Sequence, residues 1–148
     1  MKDQAIQVVT DARMPDRATR REALLMLGTS YVTNGRIAEA ATVYEELARI
    51  DPRNLDVWVN LAAAAMHVGD YAAVKRHLDR ALKLAPNSAQ AMINMGNYYA
   101  RQNQPGEAQQ WFAKAVAVDP HDYLAHIGLG IQSVRLGQID KGLRQDRK

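Results

Sequence analysis

The sequence predicts an all-α fold, an α-solenoid assembled from repeated helix pairs, and three observations carry that prediction. Pro52, Pro86 and Pro120 are spaced 34 residues apart. Between them, apolar residues recur at helical spacing, with large and small side chains at corresponding places in each period. No segment alternates apolar and polar with period two, so strands are unsupported.

Aligned on its prolines, the chain divides into an N-terminal segment (1–20), three full units (21–54, 55–88 and 89–122) and a partial fourth (123–148). Residues 3–13, "DQAIQVVTDAR", read as a short amphipathic helix. With Pro15 three residues out of register, residues 1–20 are a capping helix or half-repeat. In the first unit, Thr19-Arg20-Arg21-Glu22 has the form of a capping box, in which hydroxyl and carboxylate serve opposite ends of one helical turn. Leu24, Leu27, Gly28 and Tyr31 then mark a first helix, "NGR" a turn, and Ala40, Tyr44 and Leu47 a second helix.

The same grammar continues. The second unit has Trp58, Leu61, Ala62 and Ala65, a turn at "VGD", then Val74, Leu78 and Ala81. The third has Met92, Met95, Gly96 and Tyr99, a turn at "RQNQP", then Ala108, Phe112 and Ala115. A Gly or Ala facing a recurring large side chain is what two helices need to interlock closely. Each proline ends a helix, and two residues later Asn54, Ser88 or Asp122 supplies a short side-chain acceptor for the free N–H groups of the next.

Composition narrows the function. The absence of cysteine excludes disulfides and thiolate chemistry. No apolar run approaches the roughly 20 residues that span a bilayer, and "MKDQAIQVVT" lacks the apolar core of a secretory signal. The expected location is the cytoplasm, or the periplasm if a signal peptide has been removed. Net charge is +3, but Arg135, Lys141, Arg144, Arg147 and Lys148 against Asp140 and Asp146 account for all of it. Residues 1–134 are neutral overall, so the basic stripe of a nucleic-acid binder is missing and no nucleic-acid partner is expected.

No catalytic or metal constellation emerges. His121, Asp122 and His126 offer at most two ligands, and Asp122 is already explained as a cap. His77 falls among Lys75, Arg76 and Asp79 on a stretch read as solvent-facing. Ser30, Ser88 and Ser133 lie outside any nucleophile-elbow pattern, and no glycine-rich phosphate loop is present. Trp111-Phe112 suggests a stacking platform, but Phe112 occupies a periodic core place. No cofactor, metal or catalytic residue is expected.

These units resemble the tetratricopeptide repeat family, whose 34-residue helix–turn–helix units stack into a right-handed superhelix. The resemblance covers 21–122 fully and 123–142 in part, through Leu129, Gly130, Gly137 and Gly142. It implies a non-enzymatic scaffold that binds a peptide or helix of a partner protein in a concave groove lined by the first helix of each unit. Carried over unit by unit, the groove comprises Leu25, Thr29 and Val32; Val59, Asn60, Ala63, Met66 and His67; Ile93, Asn94, Asn97 and Arg101; and Ile127, Ile131 and Arg135. Its middle is expected to be apolar, so that Val59→Asp or Ile93→Asp abolishes binding without unfolding the array.

His67, Arg101 and Arg135 recur at 34-residue spacing as a basic rail, with Glu22 and Asp56 on the opposite side. The complementary partner is apolar with acidic flanks. Asn60 and Asn94 match places that some chaperone-docking members use to grip a terminal carboxylate. Leu25, Thr29 and Gln90 stand where that grip needs other groups, so the carboxylate clamp is not expected. Within the same resemblance lie a bacterial secretion or pilus-assembly component, a secretion-substrate chaperone, and a regulatory segment of a larger enzyme such as a glycosyltransferase. The fourth unit reaches only "KGLRQDRK", with Asp146 where Tyr44, Leu78 and Phe112 stand. The chain is therefore expected to be a fragment of a longer array or to end in a minimal solvating helix, and to self-associate through the incomplete unit.

Overall fold

Proline placement decides where the helices stop. The computed structural model describes residues 16–146, which form seven helices and, among the described residues, no strand. They are α1 (Arg17–Thr33), α2 (Ile37–Ile50), α3 (Leu55–Val68), α4 (Tyr71–Leu84), α5 (Ala89–Arg101), α6 (Pro105–Val118) and α7 (Tyr123–Asp146). Pro52, Pro86 and Pro120 lie just beyond α2, α4 and α6. Proline disfavours helical backbone in the residue before it. Asp51 and Asp119 accordingly leave the helix at φ −137° and −134°. Each following helix opens on the expected cap. Asn54 Oδ1 accepts from Asp56 N at 3.1 Å, Ser88 Oγ from Ala91 N at 3.1 Å, and Asp122 Oδ1 from Leu124 N at 2.9 Å.

The first helix starts earlier than the capping box predicts. Asp16 is its cap, with Oδ1 accepting from Thr19 N at 2.6 Å, and Thr19 lies inside the helix. One period before Pro52 stands Ala18, a strong helix former, so nothing stops the chain until Asp16. The bond from the Thr19 N–H holds the Asp16 carboxyl below its ordinary pKa. The capping helix expected over 3–13, and Pro15, lie outside the described residues.

Gly35, Gly69 and Asn103 close the turns within the units at φ 73°, 80° and 59°, in the left-handed region and one period apart. Gly137 is next in that series, yet α7 passes straight through it to Asp146. The fourth unit is therefore one continuous helix, with no separate second helix starting near 139. Asp146 stands where the earlier units have an aromatic or leucine, so the stretch after Gly137 lacks the large apolar side chain that would offset breaking the helix there.

Two compact units result, one ending at Arg80 and one beginning at Ala81. In the first, Leu24, Tyr31, Val43, Tyr44, Leu47, Val57 and Leu61 form the core joining α1, α2 and α3. The Tyr44 ring lies 2.8 Å from where a Cβ on Gly28 would stand. Arg20 pairs with Glu46 at 3.0 Å and Arg21 with Asp51 at 3.5 Å, while Arg17 donates to the Ile50 carbonyl, tying the start of α1 to the end of α2. In the second unit the core is Met92, Ile93, Ala108, Phe112, Ala115 and Ala125. Gln109 Nε2 donates to Ser133 Oγ at 3.1 Å, fastening α6 to α7. Past Leu136 the helix overhangs, and residues 137–144 are all exposed.

Candidate partner-binding surface

The first helix of each unit packs one side against its second helix, and the opposite side is what remains for a partner. On that opposite side exposure is periodic. Glu22, Asp56, Gln90 and Leu124 are exposed, as are Thr29, Ala63, Asn97 and Ile131. So are Thr33, His67 and Arg101. Spacings of seven and four residues place each such trio on one helical face.

The other expected positions divide. Leu25, Asn60, Met66 and Asn94 are half-buried, while Val32, Ile127 and Ile131 are 46%, 52% and 53% exposed. Val59 and Ile93 do not line an open surface, since they keep only 8% and 4% of their area. Ile93 belongs to the core with Ala125 of α7. At that position α5 meets α7, so Ile93 is packing and not recognition. The exposed face of α3 and α5 is consequently small and polar, with apolar exposure concentrated on α7. On α1, Leu25, Met26, Thr29, Ser30, Thr33 and Asn34 line an open cleft of about 480 Å³.

Arg135 is also not a free member of a rail. Its guanidinium donates to Asn103 Oδ1 at 2.8 Å and to Gln132 Oε1 at 3.2 Å, joining α7 to the turn before α6. His67 and Arg101 stay exposed, each on the last turn of its helix where the dipole favours a cation.

Several polar side chains that invite a chemical reading have structural work. Trp58 Nε1 donates to the Pro52 carbonyl at 2.8 Å, and His126 Nε2 meets the Pro120 carbonyl at 2.7 Å. Both the ring and the proline are two periods apart in the two pairs, so His126 repeats the Trp58 contact. A carbonyl only accepts, so Nε2 carries the proton. Asp122 caps α7, which leaves neither residue of the 122/126 pair as an open ligand. Among the described residues, no three of His, Cys, Asp or Glu come together as a metal site would need. No helix among them is long and apolar enough to cross a membrane.

His77 corrects the sequence reading. It is half-buried against Trp58, with ring centroids 5.8 Å apart, and Arg80 lies 5.7 Å above the same indole. Burial, helped by the Arg76 charge and opposed by Asp70, pushes the imidazole pKa below 6.5. The signal was in the register, because Val43, His77 and Trp111 are one period apart and Val43 is buried.

Two models of the tetratricopeptide repeat match the sequence, over residues 54–120 and 21–64. No curated protein matches it. Among solved structures it resembles the first such domain of Spaghetti (RPAP3) bound to the HSP90 peptide SRMEEVD, at TM-score 0.73 and 21% identity, covering 79% of this chain and 93% of that one. It resembles MamA at TM-score 0.77 and 21% identity, covering 95% and 80%. The Thermobaculum terrenum O-GlcNAc transferase (mutant K341M) matches at TM-score 0.74 and 23% identity, over 80% of this chain and 23% of the transferase. At these identities the likeness establishes the fold, an all-α solenoid of helix pairs.

Proposed function

The chain belongs to the tetratricopeptide repeat family, and we propose that it is a non-enzymatic scaffold binding an extended or helical segment of a partner protein on its first-helix faces. The periodic exposure of Thr29, Ala63 and Asn97 carries this reading, because small side chains at one register let a peptide backbone approach closely. Glu22 and Asp56 at the starts of their helices, and His67 and Arg101 at the ends, polarise that face. A partner segment with acidic residues beside His67 or beside Arg101 is the complementary ligand.

The chaperone peptide bound by the first domain of Spaghetti ends in acidic residues. This chain has Leu25, Thr29 and Gln90 where a carboxylate clamp would need other groups, so its ligand is an internal segment and not a chain terminus. The test is an array of apolar peptides with acidic flanks, probed with wild type and with His67→Glu and Arg101→Glu. Both positions are exposed, so helix content should stay unchanged. Binding that weakens tenfold or more when either carboxylate is introduced supports the reading (about 1.4 kcal/mol). Binding indifferent to both substitutions sinks it.

A further inference from the structure

Apolar exposure among the described residues is concentrated on one helix. Tyr123, Leu124, Ile127, Ile131, Val134, Ile139 and Leu143 of α7 are all exposed. Ala125, Gly128, Leu129 and Gln132 turn inward on one side of that helix. Leu124, Ile127, Ile131 and Val134 form a stripe at i, i+3, i+7 and i+10 on the other, with Val134 61% exposed. Beside the stripe, Cβ atoms added to Gly130 and Gly137 would meet nothing within 4 Å, so the helix carries two flat spots next to its knobs.

We propose that the occupant of this stripe is a second copy of the same chain, its α7 running antiparallel about a two-fold axis between Gly130 and Ile131. In that register Ile131 of each copy seats over Gly130 of the other, Ile127 faces Val134, and Leu124 covers Gly137. Ile131 and Leu124 each meet a glycine flat spot while Ile127 packs side by side with Val134, so the two helices can approach closely. Charge fixes the direction. The overhang carries Lys141 toward residue 120 of the second copy, between Asp119 and Asp122. A parallel pair would instead set Lys141 against Lys141. A two-fold contact is also self-limiting, burying the stripe of both copies without leaving one open. The pairing stands independently of the proposed peptide face, except that it assigns Ile127 and Ile131 to the contact between copies.

Sedimentation equilibrium across the micromolar range tests it, on the full chain. Wild type should be a monomer–dimer equilibrium, and Ile131→Asp, at an exposed position, should raise the dissociation constant at least about tenfold with unchanged circular dichroism. Because the chain has no cysteine, Ile131→Cys should form a disulfide-linked dimer on mild oxidation. Ala113→Cys, exposed on α6, should not. Lys141→Glu should weaken the dimer and the double variant Lys141→Glu with Asp119→Lys should restore it. A strictly monomeric wild type, or a dimer insensitive to Ile131→Asp, would overturn the proposal. So would a dimer that fails to cross-link at position 131.

Discussion

The ring of Phe112 occupies the space that a side chain on Gly96 would need. A Cβ built on Gly96 stands 2.7 Å from the ring, and one on Gly128 stands 2.4 Å from it. Helices α5 and α7 thus reach the same aromatic from two sides, each by giving up its side chain. Gly28 makes the same concession to Tyr44 at 2.8 Å. In the second unit the corresponding pair is Ala62 and Leu78, a larger residue facing a smaller partner.

Gly96→Ala should therefore destabilise the protein by about 1–3 kcal/mol, since neither ring nor backbone can yield cheaply. Adding Phe112→Leu recreates the Ala–Leu pair of the second unit and should recover part of that loss. Urea melts of the two single variants and the double variant measure the coupling. Simple additivity would mean that the contact is not the cause.

Gly69 and Gly137 hold the same place two repeats apart but have different backbones. Gly69 is left-handed at φ 80°, so Gly69→Ala should cost about 1–2 kcal/mol. Gly137 lies inside α7 with open space around it, so Gly137→Ala should stabilise by roughly 0.5–1 kcal/mol. Thermal unfolding of both variants checks the opposite signs. A loss at Gly137 would show that the helix turns there.

Val59→Asp and Ile93→Asp should unfold the chain, not merely silence it. Each would bury an unpaired carboxylate at a site under a tenth exposed, at a cost of at least about 3 kcal/mol. Circular dichroism with a lowered or absent melting transition is the expected result. A native melt with lost binding would return both residues to the recognition surface.

Stability should fall as pH drops through 6.5, and His77 should be one cause. Above 6.5 the imidazole is neutral in both folded and unfolded chains. Below it the unfolded chain takes up a proton that the half-buried ring resists, so unfolding gains until the folded ring is protonated as well. His77→Gln should flatten that part of the stability profile. An unchanged slope in the variant would assign the effect to other groups.

Much of this architecture is legible in the residues. The 34-residue spacing of the prolines, the Asn, Ser and Asp caps, and the pairing of small with large side chains each act within one or two helical turns. Local chemistry of that kind is readable without neighbours. The start of α1 departs from the capping-box expectation for a reason that is also local: Ala18 takes the place of a proline, and Asp16 is as good a cap as Thr19.

The faces were harder. Val59, Ile93 and Ile127 share one register and are all β-branched and apolar, yet the first two are buried and the third is 52% exposed. Nothing in their own helices distinguishes them, because burial depends on which other elements pack against that face. Arg135 likewise looked like a partner to His67 and Arg101 until the backbone brought Asn103 within 2.8 Å of it. The period, the proline stops with their Asn, Ser and Asp caps, and the small-to-large interlock are readable from the residues alone, since each is set by short-range sterics and hydrogen bonding. Which apolar residues become core and which remain surface is settled by the packing of whole helices. That packing also decides that α7 runs straight through Gly137, because both depend on apolar surface supplied by another part of the chain.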